Sequence, residues 1–429
     1  MKISVVGSGY VGLITAAGFA EKGHEVVCVD IDGRKVEMVN ARKPPIYEKG
    51  LQEILNHVVP DSLTASLDME AGVLETDVTF ICVGTPSDDD GSINLKYVKD
   101  VSRQLGSILG KKKGYHVVVV KSTIIPGSTE EHVIPILEKE SGKKAGRDFG
   151  VVMNPEFLRE GVAVEDFMNP DRIVIGSIDA KSGDIIESLY FKFKSPVLRV
   201  NLKTAEMIKY TSNSMLAAKI SFINEVGNIC KKLGVDVYDV AKGIGLDHRI
   251  GPYFINAGPG FGGSCFPKDV KALVHKAREV GVSAQLLSSV LEVNDRQPQV
   301  LLSLIKSKHK LAKTKVTVLG LAFKAGTDDM RESPSIPVVN GLLEGGAEVT
   351  AYDPQAVENA RKVFGDKIRY ASAAKDALKG SELAVILTEW EEFKTLDLSG
   401  MKKKRIVDSR HIINQDLLPG DVEYEGLCW

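Results

Sequence analysis

Cys265 stands in the stretch GFGGSCFPKD, between a run of glycines and a Pro-Lys-Asp. A structural cysteine behaves as a small hydrophobe and belongs on an apolar strand or helix. This one sits where the chain offers few side chains to pack against. Pro267 suits the first turn of a helix, with Cys265 just before it. A helix N-terminus and the neighbouring Lys268 would both favour the thiolate, and the glycines let a ligand approach the backbone. Asp269, four residues on, has the chemistry to hold a water or act as a base.

A second constellation opens the chain. GSGYVG, Gly7 to Gly12, fits G-x-G-x-x-G between a strand-like run and a helical one. Gly7 permits the tight turn, Gly9 lets backbone approach a pyrophosphate, and Gly12 lets helix and strand pack closely. The next strand ends in Asp30, 23 residues after Gly7, where a carboxylate would accept from a ribose 2′-OH and repel a 2′-phosphate. This points to NAD over NADP; the competing reading is glycines that serve only a tight turn. A thiolate near a nicotinamide traps an aldehyde as a thiohemiacetal, which can give up a second hydride and become a thioester.

Other polar residues fall where open α/β sheets place their sites, beyond strand ends. Thr85 follows one strand, Thr123 another, and NPEFLREG puts Glu156 and Glu160 after a third. Each could equally serve a turn or helix cap. Glu206, Lys209 and Asn213 are spaced i, i+3, i+7 and share a helix face. They read either as a solvated stripe or as groups pointing into a cleft. In GLAFKAGTDDMRESPS, Lys324 and Arg331 suit a phosphate-bearing ligand or an ordinary surface loop of ion pairs.

These residues need elements to hold them. Runs such as KISVVG, EVVCVD, VTFICVG, HVVVVKST and DRIVIGS alternate with helix-period segments, which argues a parallel sheet covered on both faces. The expected domains are 1–200, a Rossmann-like dinucleotide unit; 201–310, helical, with one long helix from about Lys203 to Leu233; and 311–429, where KVTVLGLAF and GAEVTAYDP echo the first unit. The fold class is α/β, two doubly wound domains joined by the long helix.

Composition excludes several classes. With 55 basic and 57 acidic residues, no bulk field recruits nucleic acid or anionic membrane. The runs Lys111–Lys113 and Lys402–Arg405 read as solvated loops flanking strands. Five cysteines without CxxC spacing suggest neither a disulfide framework nor a metal site; Cys28 and Cys82 lie in apolar strands. No apolar run approaches a membrane span, and a cytoplasmic protein is expected.

The ordered motifs GSGYVG, VGTP, KSTIIPG, NPEFLREG, AEMIKYTSNSMLAAKISFINE, GPGFGGSCFPKD and GLAFKAGTDDMRESPS cover nearly the whole chain. Together they resemble the UDP-glucose/GDP-mannose dehydrogenase family, which oxidises the C6 alcohol of a nucleotide sugar to a carboxylate with two NAD+. The resemblance implies Cys265 as nucleophile, Lys209 and Asn213 stabilising an oxyanion, and Asp269, Thr123 and Glu156 handling protons and thioester hydrolysis. It implies NAD contacts at the fingerprint (Gly7, Gly9, Tyr10, Val11, Gly12) and at Asp30, Lys35, Thr85, Thr123, Glu160, Lys268 and Arg331. Nucleotide-sugar contacts are implied at Glu156, Phe157, Leu158, Arg159, Glu160, Lys209, Asn213 and Arg249. The same holds for Phe254, Ile255, Asn256, Ala257, Gly258, Phe261, Gly262 and Lys324, with the C-terminal domain taking the UDP half. DSR at Asp408–Arg410 stands where the family commonly has Asp-Gly-Arg, and the chain ends at YEGLCW without the longer tail of some members.

Members acting on UDP-N-acetylmannosamine usually carry Gly-Gly-His-Cys-Ile-Pro, whereas Ser264 precedes Cys265 here and FPKD follows. UDP-glucose is therefore the expected sugar, with GDP-mannose or UDP-N-acetylmannosamine as alternatives. A non-catalytic nucleotide-sugar binding protein would be expected to lose Cys265, Lys209 or Asp269, and all are present. A two-electron alcohol dehydrogenase with a structural Cys265 is the other reading. The resemblance also implies a homodimer through the long helix.

Overall fold

The computed structural model describes residues 1–429, and the chain divides into two compact units, Met1–Ser212 and Asn213–Trp429. The first unit holds a sheet of eight strands: β1 (Lys2–Val6), β2 (Glu25–Val29), β3 (Leu63–Ser66), β4 (Val78–Ile81), β5 (Val117–Val120), β6 (Gly150–Met153), β7 (Ile173–Ser177) and β8 (Val197–Val200). Their order is β3-β2-β1-β4-β5-β6-β7-β8, parallel throughout except between β6 and β7. The central strands are apolar on both faces, as a doubly covered sheet requires; all four valines of β5 are buried. β3 and β8 lie at the two edges and bury only part of their length, so neither shows a continuous apolar run.

Phe19, on the helix Tyr10–Glu21, sits at the centre of an aromatic core, 5.2–5.3 Å from the rings of Phe80, Phe167 and Tyr190. Within the run Lys111–Lys113, expected as a solvated loop, Lys111 and Lys113 are exposed, but Lys112 turns inward and its ammonium donates to the carbonyls of Val73, Leu74 and Thr76 at 2.6–2.8 Å. It thereby satisfies the exposed C-terminal carbonyls of the helix Met69–Leu74. The run Lys402–Arg405 does pair with surface acids, Glu382, Asp421 and Glu423.

The second unit holds an all-parallel sheet of β9 (Lys315–Leu319), β10 (Glu348–Tyr352), β11 (Arg369–Tyr370), β12 (Leu383–Ile386), β13 (Arg405–Asp408) and β14 (Glu423–Gly426). The order β11-β10-β9-β12-β13-β14 repeats the winding of the first six strands, so each sheet reverses direction beside its first strand, the position that places ligands in this architecture. The long helix runs Leu202–Leu233, and the division between units falls inside it. Gly227 interrupts its sequence for a packing reason: a Cβ there would lie 2.9 Å from Cys428 Sγ and 3.3 Å from the Ala257 methyl. Three more helices follow, Val237–Gly245, Phe266–Glu279 and Gln285–Lys308. No helix is long and apolar enough to cross a membrane.

Candidate active site

The first unit builds a dinucleotide cradle at the end of β1. Gly7 adopts φ +100°, and a Cβ there would press within 2.6 Å of the Cys82 carbonyl. A Cβ at Gly12 would fall 1.8 Å from the Gly7 carbonyl oxygen, whereas one at Gly9 would meet no atom within 4 Å. Gly7 and Gly12 thus close the turn, and Gly9 leaves open space before the helix N-terminus, where phosphate is favoured. Tyr10 and Val11 are partly buried against the core. Asp30 closes the cradle: one carboxylate oxygen accepts from Ser8 N and Ser8 Oγ, both at 2.6 Å, the other from Asp32 N at 2.9 Å. Burial would raise its pKa, but these bonds and the nearby Lys35 ammonium outweigh that and hold it below the ordinary aspartate value. An ionised, oriented carboxylate beside an open glycine turn fits NAD.

Thr85 is buried and Thr123 half-buried beyond β4 and β5. Beyond β6, Glu156 forms an ion pair with Lys209 at 2.9 Å, both side chains nearly inaccessible, and accepts from Leu158 N at 2.6 Å. Burial pushes the Glu156 carboxyl up, but Lys209, the Leu158 N–H and Lys121 pull it below the usual value. Lys121, itself buried, has its pKa brought down to about 8 by desolvation and donates to Asn154 Oδ1 at 3.0 Å. Phe157 lies under the Arg172 guanidinium, 3.6 Å from the ring centroid. Arg159 is fastened to Asp166 by its backbone N–H, Nε and Nη2. Glu206 accepts from Gly127 N, Thr129 N and Thr129 Oγ1 at 2.6–2.9 Å, anchoring the turn that follows Thr123 to the long helix. Glu206, Lys209 and Asn213 are all buried, which excludes the solvated stripe.

In the second unit Cys265 is the N-cap residue of the helix Phe266–Glu279, with Pro267 in its first turn. It is partly accessible, whereas the other four cysteines are buried. Ser264 Oγ lies 3.6 Å from its Sγ. Asp269, 1 % exposed, accepts from Asn213 Nδ2 and Lys268 Nζ, each at 2.6 Å.

The loop ahead of the cysteine is pinned by helix side chains that the sequence reading did not single out. Asn224 Oδ1 accepts from Gly258 N at 2.8 Å, Gln297 Nε2 donates to Gly258 O at 3.0 Å, and Tyr238 OH donates to Ala257 O at 2.8 Å. Asn294 bonds both the N–H and the carbonyl of Phe261. Asn224 follows Asn213 by three helical turns and extends the polar line of Lys209 and Asn213, a spacing that was available as a signal. Phe254 takes φ +63° with its ring 6.1 Å from Phe266; Ile255 is buried and Asn256 exposed. A Cβ at Gly262 would strike the Glu332 carbonyl, and one at Gly263 the Phe323 ring, so these glycines admit the turn that carries Lys324. Lys324 Nζ lies 5.6 Å from the Phe323 ring centroid.

Two further cations are engaged by neighbouring carboxylates, and the Arg331 carbonyl also accepts from Gly263 N at 2.8 Å. Arg331 holds Asp329 through Nε and Nη2 at 2.8–3.1 Å, and Arg249, on an exposed turn, pairs with Asp247. The echo between the sheets extends to Asp353, the counterpart of Asp30, but its function differs. Both its oxygens are consumed by Leu321 N, Ala322 N, Gln355 N, Ala356 N and Trp390 Nε1, leaving no ribose acceptor.

Family models match along the chain in order. Residues 1–194 match the UDP-glucose/GDP-mannose dehydrogenase family NAD-binding domain, 203–296 its central domain and 317–415 its UDP-binding domain. The UDP-glucose 6-dehydrogenase AglM of Haloferax volcanii is 44 % identical over the full length of both chains. A GDP-mannose 6-dehydrogenase of Pseudomonas putida is 39 % identical, also over both full lengths. Among solved structures, a UDP-glucose dehydrogenase of the archaeon Pyrobaculum islandicum superposes with a TM-score of 0.93 at 42 % identity, covering 100 % of this chain and 97 % of its own.

Proposed function

The chain belongs to the UDP-glucose/GDP-mannose dehydrogenase family, and from that premise we propose that it oxidises UDP-glucose to UDP-glucuronate, reducing two NAD+ per sugar. It is an NAD-dependent oxidoreductase acting on a nucleotide sugar. The observation that carries the four-electron reading is Cys265 at a helix N-terminus, four residues before an Asp269 held by Asn213 and Lys268. UDP-glucose is favoured by Ser264 and FPKD around that cysteine and by the higher identity to the Haloferax UDP-glucose 6-dehydrogenase, 44 %, than to the Pseudomonas GDP-mannose enzyme, 39 %.

NAD+ would accept the hydride of each oxidation, a second NAD+ replacing the NADH formed in the first, and Gly7 to Gly12, Asp30, Lys35, Thr85, Thr123, Glu160, Lys268 and Arg331 would hold it. The C6 hydroxyl loses its proton to a base assisted by Asp269, and loss of hydride leaves an aldehyde. The Cys265 thiolate adds to that carbonyl; Lys209 and Asn213, one helical turn apart, stabilise the resulting alkoxide. Loss of the second hydride gives the thioester. Water, activated with Glu156 and Thr123, then cleaves the C–S bond and returns the thiolate. Phe157 to Glu160, Phe254 to Gly258, Phe261, Gly262, Arg249 and Lys324 would hold the nucleotide sugar.

Segments 1–200, 201–310 and 311–429 would divide the work as NAD-binding, helical and UDP-binding domains, in the cytoplasm. A homodimer through the long helix is supported by Met215, Phe222 and Ile229, seven residues apart and all exposed. Sugar identity is tested by NADH formation with UDP-glucose, GDP-mannose and UDP-N-acetylmannosamine in parallel. Turnover confined to UDP-glucose is expected; preference for either other sugar would overturn the assignment.

A further inference from the structure

Glu48 belongs to none of the sequence motifs, yet it is 6 % exposed and its carboxylate is fully engaged. One oxygen takes the phenolic hydrogen of Tyr10 and the Gly161 N–H, at 2.7 Å for the latter; the other accepts from Ala163 N at 2.8 Å. Tyr10 OH in turn accepts from Gly161 N at 2.9 Å, closing a buried triangle. Burial and the Glu48 carboxylate drive the Tyr10 pKa far up, so the phenol stays a donor. Tyr10 is the first residue of the helix that follows Gly9, and Gly161, at φ +85°, immediately follows the Glu156–Glu160 stretch. Glu48 is fixed from its own side as well, because Leu51 just beyond it is wholly buried.

Arg159 and Leu158 spend their backbone N–H groups on Asp166 and Glu156, whereas Gly161 and Ala163 spend theirs on Glu48, whose carboxylate thereby ties the substrate loop to the fingerprint helix. We propose that Glu48, acting through Tyr10, is a positioning residue that couples the NAD turn to the nucleotide-sugar loop, so that each ligand tightens binding of the other. Ordering the triangle with one ligand removes part of the ordering cost for the second, and linkage makes the effect reciprocal. The inference rests on the nucleotide-sugar reading above.

The test is calorimetric titration of UDP-glucose into the protein alone and with saturating NADH, for wild type, Glu48→Gln and Tyr10→Phe, alongside thermal melts. Gln keeps the shape of Glu48 but turns one acceptor into a donor facing backbone N–H groups. Phe removes only the phenol oxygen and leaves Glu48 its two backbone donors, so it decides the matter if the first variant fails to fold. Wild type should bind UDP-glucose roughly fivefold or more tightly with NADH present, and in each folded variant the ratio should fall towards one. A wild-type ratio of one, or a ratio retained in either folded variant, overturns the proposal. No binding of UDP-glucose to wild type in either condition would instead overturn the sugar assignment, and the same titrations with GDP-mannose would then decide the coupling.

Discussion

Lys209 Nζ lies 2.9 Å from Glu156 Oε1, with the two side chains 4 % and 6 % exposed. The pair ties the end of β6 to the long helix. Taking each charge out of water costs several kcal/mol, and their attraction offsets that cost only while both are present. Lys209→Met leaves the Glu156 carboxylate buried without its nearest cation, and a loss of about 3 kcal/mol or more is expected. The double variant Lys209→Met with Glu156→Leu should recover most of it, while activity stays lost in both. Denaturant melts measure this; a single variant as stable as wild type would contradict it.

The glycine turn separates two kinds of failure. Gly9→Ala meets no atom within 4 Å and has a φ of −68° that any residue adopts. Its stability should stay within about 0.5 kcal/mol of wild type, while NADH affinity falls roughly tenfold or more, about 1.4 kcal/mol. Gly12→Ala drives a methyl into the Gly7 carbonyl and should lose about 1–3 kcal/mol of stability through overpacking. NADH fluorescence titrations and thermal melts on both variants distinguish the two cases.

Much of this architecture is legible in the chain because its signals are local. The Val-rich central strands, the glycine turn with Asp30, and Pro267 in the first turn of the cysteine's helix all follow from neighbouring residues. β3 and β8 escape notice because an edge strand buries too little to leave an apolar run. Asp269 pairs with Asn213 across 56 residues, and Glu48 reaches Gly161 across 113; only folding brings such partners together. Lys268 is a case in between: its neighbour Cys265 is read off the sequence, but its hydrogen bond to Asp269 appears only in three dimensions.

Acid stability should be set in part by His116. It is buried, Nε2 bonded to Thr79 Oγ1 at 2.8 Å and Nδ1 to the Thr76 carbonyl at 3.1 Å, and burial lowers its pKa to about 3. Between that value and the unfolded value of about 6.5, the unfolded chain binds a proton that the folded chain does not. Stability from this group is therefore full above pH 6.5 and falls as pH drops towards 3, by at most ~1.4 kcal/mol per pH unit. His116→Gln, uncharged at every pH and able to keep a donor and an acceptor, should flatten that part of the slope in urea melts from pH 3.5 to 7. An unchanged slope would assign the acid sensitivity to other groups.

Asp269 is expected to matter to rate more than to affinity. Asp269→Asn keeps the size but loses the charge that holds Lys268 and orients Asn213. A fall in kcat of roughly a hundredfold to ten-thousandfold, the range for a lost proton-transfer group, with KM changed by less than threefold, is the expected result of steady-state assays. A rise in KM alone would make Asp269 a binding residue.

The covalent step is tested most directly by counting NADH formed per UDP-glucose consumed, run to completion, with Cys265→Ser beside the wild type. Two NADH per sugar from the wild type, and a serine variant that is inactive or stalls as a slowly hydrolysed ester found on Ser-bearing peptide by mass spectrometry, is the predicted result. One NADH with free aldehyde, or a variant that turns over like wild type, would contradict the thioester route and leave Cys265 a structural residue.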